Sequence, residues 1–458
     1  MTDARTASDD VPRRDLHAPD EVVRIVRRLE EAGFNTWTVG GAVRDALAGH
    51  PHEYDWDLTT AARPRDVQRL FRHTVPVGLA HGTVGVLGRD RRLYEVTTFR
   101  RDVETDGRHA TVSFSDTVEE DLQRRDFTIN AVAWHPLTHE LRDPHGGAAD
   151  LRDGVLRTVG DASERFREDR LRVLRALRFA GRFGLRIDPA TWEAARQAAP
   201  ELPHLSAERV REELLKVLRG VRWPSDSLRL YEQSGALAAL FPELQACVGV
   251  GDGDEDVWTH LLRTVDASEP RQHLRLAGLL HDAGKPATQT GDGGRVDFPD
   301  HAAAGAALAL RLMTRLKFSN AERDQAVHLV AQHEDLPAHD APGAEVRRWL
   351  RRVGRAYVHD LLRLETANAK GRARPDPARI REAEALRRRA DAVMREGAAL
   401  EIGDLAIGGA ELRALGIAAG PRMGEILRDL LERVTDDPSL NTPERLTEIV
   451  EREFVGEG

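Results

Sequence analysis

The sequence predicts an α+β fold, in which an N-terminal mixed-sheet domain precedes a body and tail built almost entirely from helices. Up to about Asp153, segments rich in β-branched residues alternate with short helical patterns. From Ala162 onward strand signals nearly vanish, and leucine and alanine recur at helical spacing. The 458 residues are enough for about two to four domains.

Local patterns predict each element of the N-terminal domain. Residues 21–33 have the apolar spacing of a helix that ends at Gly33. The other predicted elements are a strand at Trp37–Val39, a turn at Gly40-Gly41, a helix from Ala42 to Leu47, a strand carrying Asp55 to Leu58, a helix at Pro64–Phe71, and strands at Thr83–Leu87 and Leu93–Phe99.

Composition favours a cytoplasmic globular protein. Apolar residues make up 41% of the chain, and no run of about 18 apolar residues predicts a membrane-spanning helix. Residues 1–20 are polar, without the apolar core of a secretory signal, and are expected to form a flexible leader. The single cysteine, Cys247, excludes an internal disulfide and a thiolate metal site, and it fits a reducing compartment.

The net charge of −9 is unusual for a nucleic-acid-binding protein, but the charge is distributed unevenly. Eight arginines lie between Arg165 and Arg186, against only Glu168 and Asp169. Acidic residues concentrate elsewhere, notably at residues 251–256. The arginine-rich segment is therefore a candidate phosphate-binding or base-binding surface.

Two carboxylates lie on alternate positions of a predicted strand. Side chains at such positions project from the same face, so Asp55 and Asp57 are expected to lie together. They repel each other unless a cation neutralises them, and Mg²⁺ prefers such oxygen ligands. Glu95, on the strand Leu93–Phe99, is a candidate third carboxylate.

A glycine turn precedes the carboxylates. The unhindered amides of Gly40 and Gly41 can approach phosphate oxygens between a strand and a helix. Arg44, in the first turn of that helix, is expected to reach the same triphosphate with its forked donors.

Several motifs together carry a family resemblance. The sequences at residues 40–45 (GGAVRD) and 55–57 (DWD) resemble the opening motif of class II tRNA nucleotidyltransferases and bacterial poly(A) polymerases. Later motifs of the same family are similar to residues 124–131 (RRDFTINA), 168–172 (EDRLR), 208–213 (ERVREE) and 416–441 in the tail.

This resemblance implies a polymerase-β-like head that adds C and A nucleotides to the tRNA 3′ end from CTP and ATP. It implies catalysis with Mg²⁺ at Asp55 and Asp57, and Glu95 is the candidate third catalytic carboxylate from its position on the strand. The expected organisation is a leader at 1–20, a nucleotidyltransferase head at 21–155, a neck at 156–222, a body at 223–345 and a tRNA-binding tail at 346–458.

The resemblance also implies that Asp169 and Arg172 read the base. Three residues apart on a predicted helix, they would share one face. A carboxylate accepts from the amino group of cytosine or adenine, and a guanidinium donates to the adjacent ring nitrogen, whereas uracil and guanine reverse this pattern. Family motifs place Arg125, Arg175 and Arg178 around the same nucleotide.

The body carries a second set of candidate ligands. His260, His281-Asp282, His301 and His333 have a spacing similar to that of metal-dependent HD phosphohydrolases, and their side chains suit a transition metal. The last aspartate of that fold corresponds to Asn368. The sequence leaves open whether this body is a phosphatase or phosphodiesterase, or a helical scaffold.

Other functions also remain open. The segment Arg101–Phe114 corresponds to the family's flexible loop, whose presence argues against an enzyme that adds C alone. An A-adding enzyme of a split CC/A system and a poly(A) polymerase are the alternatives. An HD phosphohydrolase with an inactive head, and a non-enzymatic RNA-binding scaffold, are weaker ones. The sequence does not predict the oligomeric state.

Overall fold

A computed structural model describes residues 16–49, 56–79, 82–105, 110–251, 255–292, 295–338 and 340–455. The described residues form two compact units. The first falls within Met1–Val217 and Asp226–Pro242, and the second within Leu218–Ser225 and Glu243–Gly458. Among the helices of these ranges, none combines the length and apolar character needed to cross a bilayer.

The N-terminal part alternates short helices and strands. In chain order they are α1 (Asp20–Glu31), β1 (Thr36–Val39), α2 (Gly41–Leu47), β2 (Asp57–Thr60), α3 (Pro64–Leu70), β3 (Thr74–Gly78), β4 (Thr83–Leu87), β5 (Leu93–Thr98), β6 (Arg100–Thr105), β7 (Ala110–Phe114), α4 (Val118–Gln123), β8 (Ala133–Trp134), β9 (Leu141–Arg142), α5 (Gly147–Arg152) and β10 (Val155–Leu156).

Helices dominate the rest of the described chain. In chain order, the α-helices and strands of this part are α6 (Ala162–Glu168), α7 (Leu171–Phe183), β11 (Arg186–Ile187), α8 (Pro189–Ala198), α9 (Ala207–Gly220), α10 (Pro224–Gln233), α11 (Ala236–Leu240), α12 (Pro242–Gln245), α13 (Val257–Ala267), α14 (Gln272–Leu280), α15 (Lys285–Thr288), β12 (Thr290–Asp292), β13 (Arg295–Asp297), α16 (His301–Arg315), α17 (Asn320–Gln332), α18 (Gly343–Val353), α19 (Val358–Gly371), α20 (Pro377–Arg395), α21 (Gly409–Ala414), α22 (Pro421–Asp436) and α23 (Pro443–Glu453). The predicted α+β architecture is confirmed.

Seven of the described strands form one mixed sheet in the order β3-β4-β5-β2-β1-β8-β9. Only β2 and β5 pair in parallel, with Leu58 opposite Val96, and the other neighbours are antiparallel. Because β2 and β5 run in the same direction, side chains at equivalent positions of these two strands lie side by side on one face.

The two faces of the sheet are covered unequally. One face packs on α1 and α3 through a core that includes Ile25, Val67, Val84 and Val96. On the other face, a smaller cluster with Trp37 and Leu122 joins β1 to α4. The outward positions of β4 and β5 include exposed residues such as Leu87 and Leu93, so part of the sheet is open to solvent.

The helical unit has cores of its own. One apolar cluster joins α14, α17, α18, α19 and α20 around Trp349 and Leu361. Another lies in the C-terminal helices around Leu412, Leu430 and Leu446.

Three details differ from the sequence prediction. Strand β2 begins at Asp57, and Asp55 lies outside the described residues. The segment predicted as a flexible loop, Arg101–Phe114, contributes to the paired strands β6 and β7. Strand β3 was not predicted, because Pro76 interrupts its short apolar run and weakens the strand signal.

Candidate functional site

A cavity of about 420 Å³ opens in the first unit where β2 and β5 approach α7. Its walls are strongly charged, with carboxylates and guanidinium groups in nearly equal numbers. The charged lining residues are Asp57, Glu95, Asp121, Asp126, Asp169, Arg100, Arg124, Arg125, Arg172, Arg175 and Arg209. Such a lining suits a ligand that carries both phosphates and metal ions.

The sheet forms the acidic wall of this cavity. Asp57 and Glu95 each directly precede the paired residues Leu58 and Val96, so the parallel register brings the two exposed carboxylates to one face. Leu58 and Val96 point the opposite way into the core. Clustered carboxylate oxygens are ligands for a hard divalent cation, so the residues present fit a divalent metal.

The glycine turn lies against the acidic wall. Gly40 has a φ of 77°, which favours glycine, and a Cβ there would lie 3.2 Å from Asp57 Oδ2 and 3.3 Å from Arg125 Nη1. A side chain at this position would therefore crowd the cavity. Arg125, predicted to contact the nucleotide, lines the cavity and donates to the backbone oxygen of Asn130 at 3.2 Å. Gly41 begins α2 and does not itself line the cavity.

Asp169 and Arg172 both line the cavity, but the prediction that they share a helix face is wrong. Helix α6 ends at Glu168, Asp169 has an extended backbone, and α7 begins at Leu171. The Asp169 carboxylate caps α7, accepting from the Leu171 amide at 3.0 Å, and this competes with a helical conformation at Asp169. Its other oxygen accepts from Arg209 Nη2 at 2.7 Å.

Arg172 is held from several sides. Its Nη1 donates to Glu168 and to the backbone oxygen of Arg165 at 3.0 Å, and its Nη2 donates to the backbone oxygen of Arg124 at 3.2 Å. A guanidinium has five N–H groups, so these three contacts leave donors for a ligand. The carboxylate and the guanidinium are therefore both oriented before a ligand binds.

A buried polar network supports the cavity. Arg175 Nε donates to Asp126 Oδ2 at 2.7 Å, and Asn130 donates to the other Asp126 oxygen at 3.0 Å. Burial raises the pKa of Asp126, but the charge of Arg175 and the hydrogen bond from Asn130 outweigh it and lower that pKa. The carboxylate is therefore ionised at neutral pH and fixes the orientation of Arg175.

Arg44, predicted to contact the triphosphate, lies in the first turn of α2 as expected, but its side chain is held by other protein groups. Its guanidinium is buried, donates to Asn130 Oδ1 at 2.7 Å and pairs with Asp45 at 2.6 Å. It also packs over the rings of Phe179 and Phe183. Arg44 does not line the cavity, because these partners hold it in the interior, where it joins α2 to α7.

Arg178, predicted to contact the nucleotide, forms an ion pair within the protein. Its side chain is buried, and its Nε donates to Glu213 on α9 at 2.7 Å. It does not line the cavity. The arginine row of α7 thus divides into a part that faces the cavity, Arg172 and Arg175, and a part that fixes α7 to α9. The division depends on Glu213, a partner 35 residues away in sequence.

We expect Asp126→Asn to destabilise the protein by about 2–4 kcal/mol, because Arg175 loses its buried counter-charge. Urea unfolding measures the change. Since the folded-state pKa of Asp126 lies below its ordinary value, its contribution is complete at neutral pH and is lost as the pH falls below about 4. Wild type should therefore lose more stability than the variant on acidification.

The matched control is Asp116→Asn. The side chain of Asp116 is 89% exposed and pairs with Arg63 on the surface. Its removal should change stability by less than about 1 kcal/mol. Equal losses in the two variants would contradict a supporting role for the buried pair.

The predicted histidines of the body converge in the second unit. Nε2 atoms of four imidazoles surround one buried carboxylate, that of Asp282. The Nε2-to-oxygen distances are 3.5 Å for His260, 3.4 Å for His281, 3.1 Å for His301 and 3.4 Å for His333. Ligand atoms this close form two overlapping groups that are able to hold a metal ion. We call these five residues the histidine cluster.

Backbone contacts orient the histidine cluster. The Nδ1 atoms of His281, His301 and His333 lie 2.7–3.0 Å from backbone carbonyls of their own chain neighbourhood. A carbonyl fixes the proton on Nδ1, so each Nε2 presents a lone pair to the centre, as in histidine metal sites. Burial lowers the pKa of His260 to about 4, so this ring is neutral at pH 7. Asn368, which stands where an aspartate was expected, is buried in α19.

Sequence reasoning missed several residues of the cavity. Arg209, Asp126 and Arg124 line it, although the sequence marks them only as members of family motifs. Their signal was present in the motifs 124–131 and 208–213. Their roles depend on pairings between distant segments, which local spacing does not reveal.

Comparisons with known families agree with this organisation. Residues 36–157 match the poly(A) polymerase head domain, residues 184–247 match the probable RNA- and SrmB-binding site of polymerase A, and residues 254–386 match the HD domain. The first match contains the acidic wall and the glycine turn. The third contains the whole histidine cluster.

Individual relatives are also similar. The chain is 42% identical over 222 residues to the CCA-adding enzyme of Geobacillus stearothermophilus and 44% identical over 214 residues to that of Streptococcus mutans. The two matches cover 48% and 45% of this chain. In these alignments the chain spans about half the length of the curated relatives, 54% of the first and 52% of the second.

A solved structure matches over nearly its whole length. The crystal structure of the Bacillus stearothermophilus CCA-adding enzyme in complex with CTP is 32% identical, with a TM-score of 0.73, over 95% of this chain and 98% of that one. Together with the cavity and the motifs, this likeness means that the chain belongs to the family of CCA-adding enzymes, which are nucleotidyltransferases.

Proposed function

We propose that the protein adds C and A nucleotides to the 3′ end of tRNA in the cytoplasm, using CTP and ATP and releasing pyrophosphate. The observation that carries the proposal is the shared cavity. Its one wall bears the carboxylates Asp57 and Glu95, and its other wall bears the acceptor–donor pair Asp169 and Arg172. The names of the relatives and the CTP complex of the solved structure support this assignment.

Different residues of the cavity contact different parts of the reacting nucleotide. The 3′ hydroxyl of the tRNA attacks the α-phosphate of the nucleotide, a P–O bond forms, and the bond to pyrophosphate breaks. Asp169 accepts from the amino group of cytosine or adenine, and Arg172 donates to the neighbouring ring nitrogen. Arg125 and Arg175 line the same cavity with positive charge suited to the triphosphate.

Asp57 and Glu95, with Asp55 outside the described residues, would hold Mg²⁺. When bound, Mg²⁺ supplies charge neutralisation at the phosphates and lowers the pKa of the attacking hydroxyl. The carboxylates themselves fix the site on the rigid pairing of β2 and β5.

The test uses tRNA transcripts that end at the discriminator base, at the first C and at the second C. Each is incubated with CTP, ATP, GTP or UTP separately and with CTP and ATP together. We expect two C and then one A to be added, with no product from GTP or UTP. Addition of A only to the transcript ending in CC would identify an A-adding enzyme, and long A tails would identify a poly(A) polymerase.

A second activity is favoured by the histidine cluster. Two overlapping groups that share Asp282 each combine two imidazoles with one carboxylate, and such ligands suit a transition metal such as Ni²⁺ or Mn²⁺. We propose that this centre binds such an ion and supports hydrolysis of a phosphate ester. The match of this segment to the HD domain supports the proposal.

We expect His281→Ala to lose the transition metal and any phosphatase activity that depends on it. His281 is fully buried beside Asp282, so its removal deletes a ligand without exposing the site. Bound metal is measured by mass spectrometry, and phosphate release with and without Ni²⁺ or Mn²⁺ measures activity. His204→Ala, at a 70% exposed side chain, is the control. Equal metal content in both variants would contradict the proposed centre.

A further inference from the structure

An apolar patch lies on the solvent-facing side of the sheet in the first unit. It consists of Val75 and Val77 on β3, Leu87 on β4 and Leu93 on β5, and these side chains are 42–45% exposed. We call these four residues the apolar face. A contiguous exposed apolar patch of this kind commonly marks a binding surface.

Strand register joins the four residues into one surface. Leu87 lies opposite Leu93, and Val75 lies opposite Gly85. A Cβ on Gly85 would lie 2.9 Å from methyl groups of both Val77 and Leu93, so these two side chains meet above the glycine. The alternate residues Val84 and Val86 are buried on the opposite side in the core.

The apolar face continues the acidic wall of the cavity along the same side of the sheet. Glu95 lies two residues after Leu93 on β5 and therefore on the same side of the strand. Thr83 and Thr97, which form a register pair further along the same strands, also line the cavity. At the opposite end, the turn between β4 and β5 carries three exposed arginines, Arg89, Arg91 and Arg92.

The arrangement separates two sides of the proposed reaction centre. The nucleotide-reading groups Asp169 and Arg172 lie on the helical wall of the cavity, and the carboxylates lie on the sheet. The RNA strand whose 3′ hydroxyl attacks must reach Asp57 and Glu95 without occupying the position of the incoming nucleotide. The open sheet beyond Glu95 is such an approach.

We propose that the apolar face binds the unpaired 3′-terminal nucleotides of the RNA that is extended. This inference rests on the proposed function. Aliphatic side chains bury apolar surface of a base or ribose without base-specific hydrogen bonds, which suits a primer whose last base changes after each addition. The arginines of the turn provide positive charge for the phosphates of the same strand.

The edge strand of the sheet is less suited to binding an extended partner chain than the apolar face is to binding RNA. Pro76 lies in the edge strand β3 and has no amide N–H, which disfavours pairing with an added strand. The apolar face therefore remains as the binding surface of this part of the sheet.

The experiment compares Val77→Thr, Leu93→Thr and the double variant with wild type. Threonine keeps the β-branched or strand-compatible character of these exposed positions, so the fold should persist. We expect KM for an RNA minihelix ending in CC to rise about tenfold in the double variant, while KM for ATP and kcat stay within twofold. Leu310→Gln, at an equally exposed leucine of the second unit, should change neither.

A second measurement does not depend on the variants. A minihelix with 4-thiouridine at its 3′-terminal position is irradiated with the wild-type protein, and we expect crosslinks within residues 75–93. An unchanged KM for RNA in the double variant, together with crosslinks elsewhere in the protein, would overturn the inference about the apolar face. Nucleotide addition by the wild-type protein would still support the proposed function in that case. A wild-type dimer that the double variant converts to monomer would instead assign the face to self-association. Absence of nucleotide addition by wild type would overturn both proposals.

Discussion

Asp57→Asn should reduce the rate of nucleotide addition to tRNA at least about a thousandfold, which corresponds to a loss of about 4 kcal/mol of transition-state stabilisation. Asp57 lies at the first position of β2, exposed to the cavity and beside Glu95. Asparagine keeps the size of the side chain but removes the negative charge that a divalent cation requires. The loss should therefore appear in kcat, with KM for CTP changed little.

The fold should not suffer from this substitution. Asp57 lies at an exposed position on the cavity wall, so the stability of the Asn variant should stay within about 1 kcal/mol of wild type. Single-turnover addition of CTP measures the rate, and thermal unfolding without metal measures the stability. Asp153→Asn, at an exposed carboxylate of the same unit outside the cavity, is the control. A rate within tenfold of wild type would remove Asp57 from the catalytic groups.

The sequence predicted those parts of the site that local patterns specify. The bounds of β4, Thr83–Leu87, agree with the prediction because alternating Val residues lie between turn residues. The histidine cluster was also predicted, although its members are separated by up to 73 positions, because the family spacing carries that information. In both cases the signal is present in the order of residues along the chain.

The sequence could not predict the partners of the buried arginines. Arg175 and Arg178 are alike in the sequence, with apolar residues and other arginines around them, whereas Arg44 lies between Val43 and Asp45. The positions of these side chains differ because their hydrogen-bond partners come from distant segments. Arg44 donates to Asn130, Arg178 to Glu213 and Arg175 to Asp126. Likewise, the end of α6 at Asp169 depends on a cap and on Arg209, and helical periodicity continues across it. The geometry of the proposed base-reading pair therefore follows from tertiary contacts.

Those contacts define what Asp169 offers to a base. One of its oxygens already accepts from the Leu171 amide and the other from Arg209, and each carboxylate oxygen has a second lone pair. The side chain is thus an acceptor held at two points, which cannot rotate to suit a different base. Arg172 is held in a similar way through the backbone oxygens of Arg124 and Arg165.

Asp169→Ala should therefore abolish discrimination between CTP and UTP, or abolish incorporation altogether. The wrong base edge costs about 1–3 kcal/mol per mispaired contact, so we expect the ratio of kcat/KM values for CTP and UTP to fall about 5- to 150-fold. Arg172→Lys should fail similarly, because an ammonium cannot maintain the forked contacts and donate to the ring nitrogen. Incorporation assays with each nucleotide measure these ratios.

The control must separate base reading from helix capping, since Asp169 also caps α7. Asp169→Asn keeps an acceptor oxygen for the cap and supplies an amide that can donate to the uracil carbonyl. We therefore expect this variant to retain the stability of wild type while gaining UTP incorporation relative to CTP. If both substitutions at Asp169 left the CTP-to-UTP ratio unchanged, base selection would lie elsewhere in the cavity. A loss of selectivity only in proportion to lost stability would assign Asp169 to the helix and not to the base.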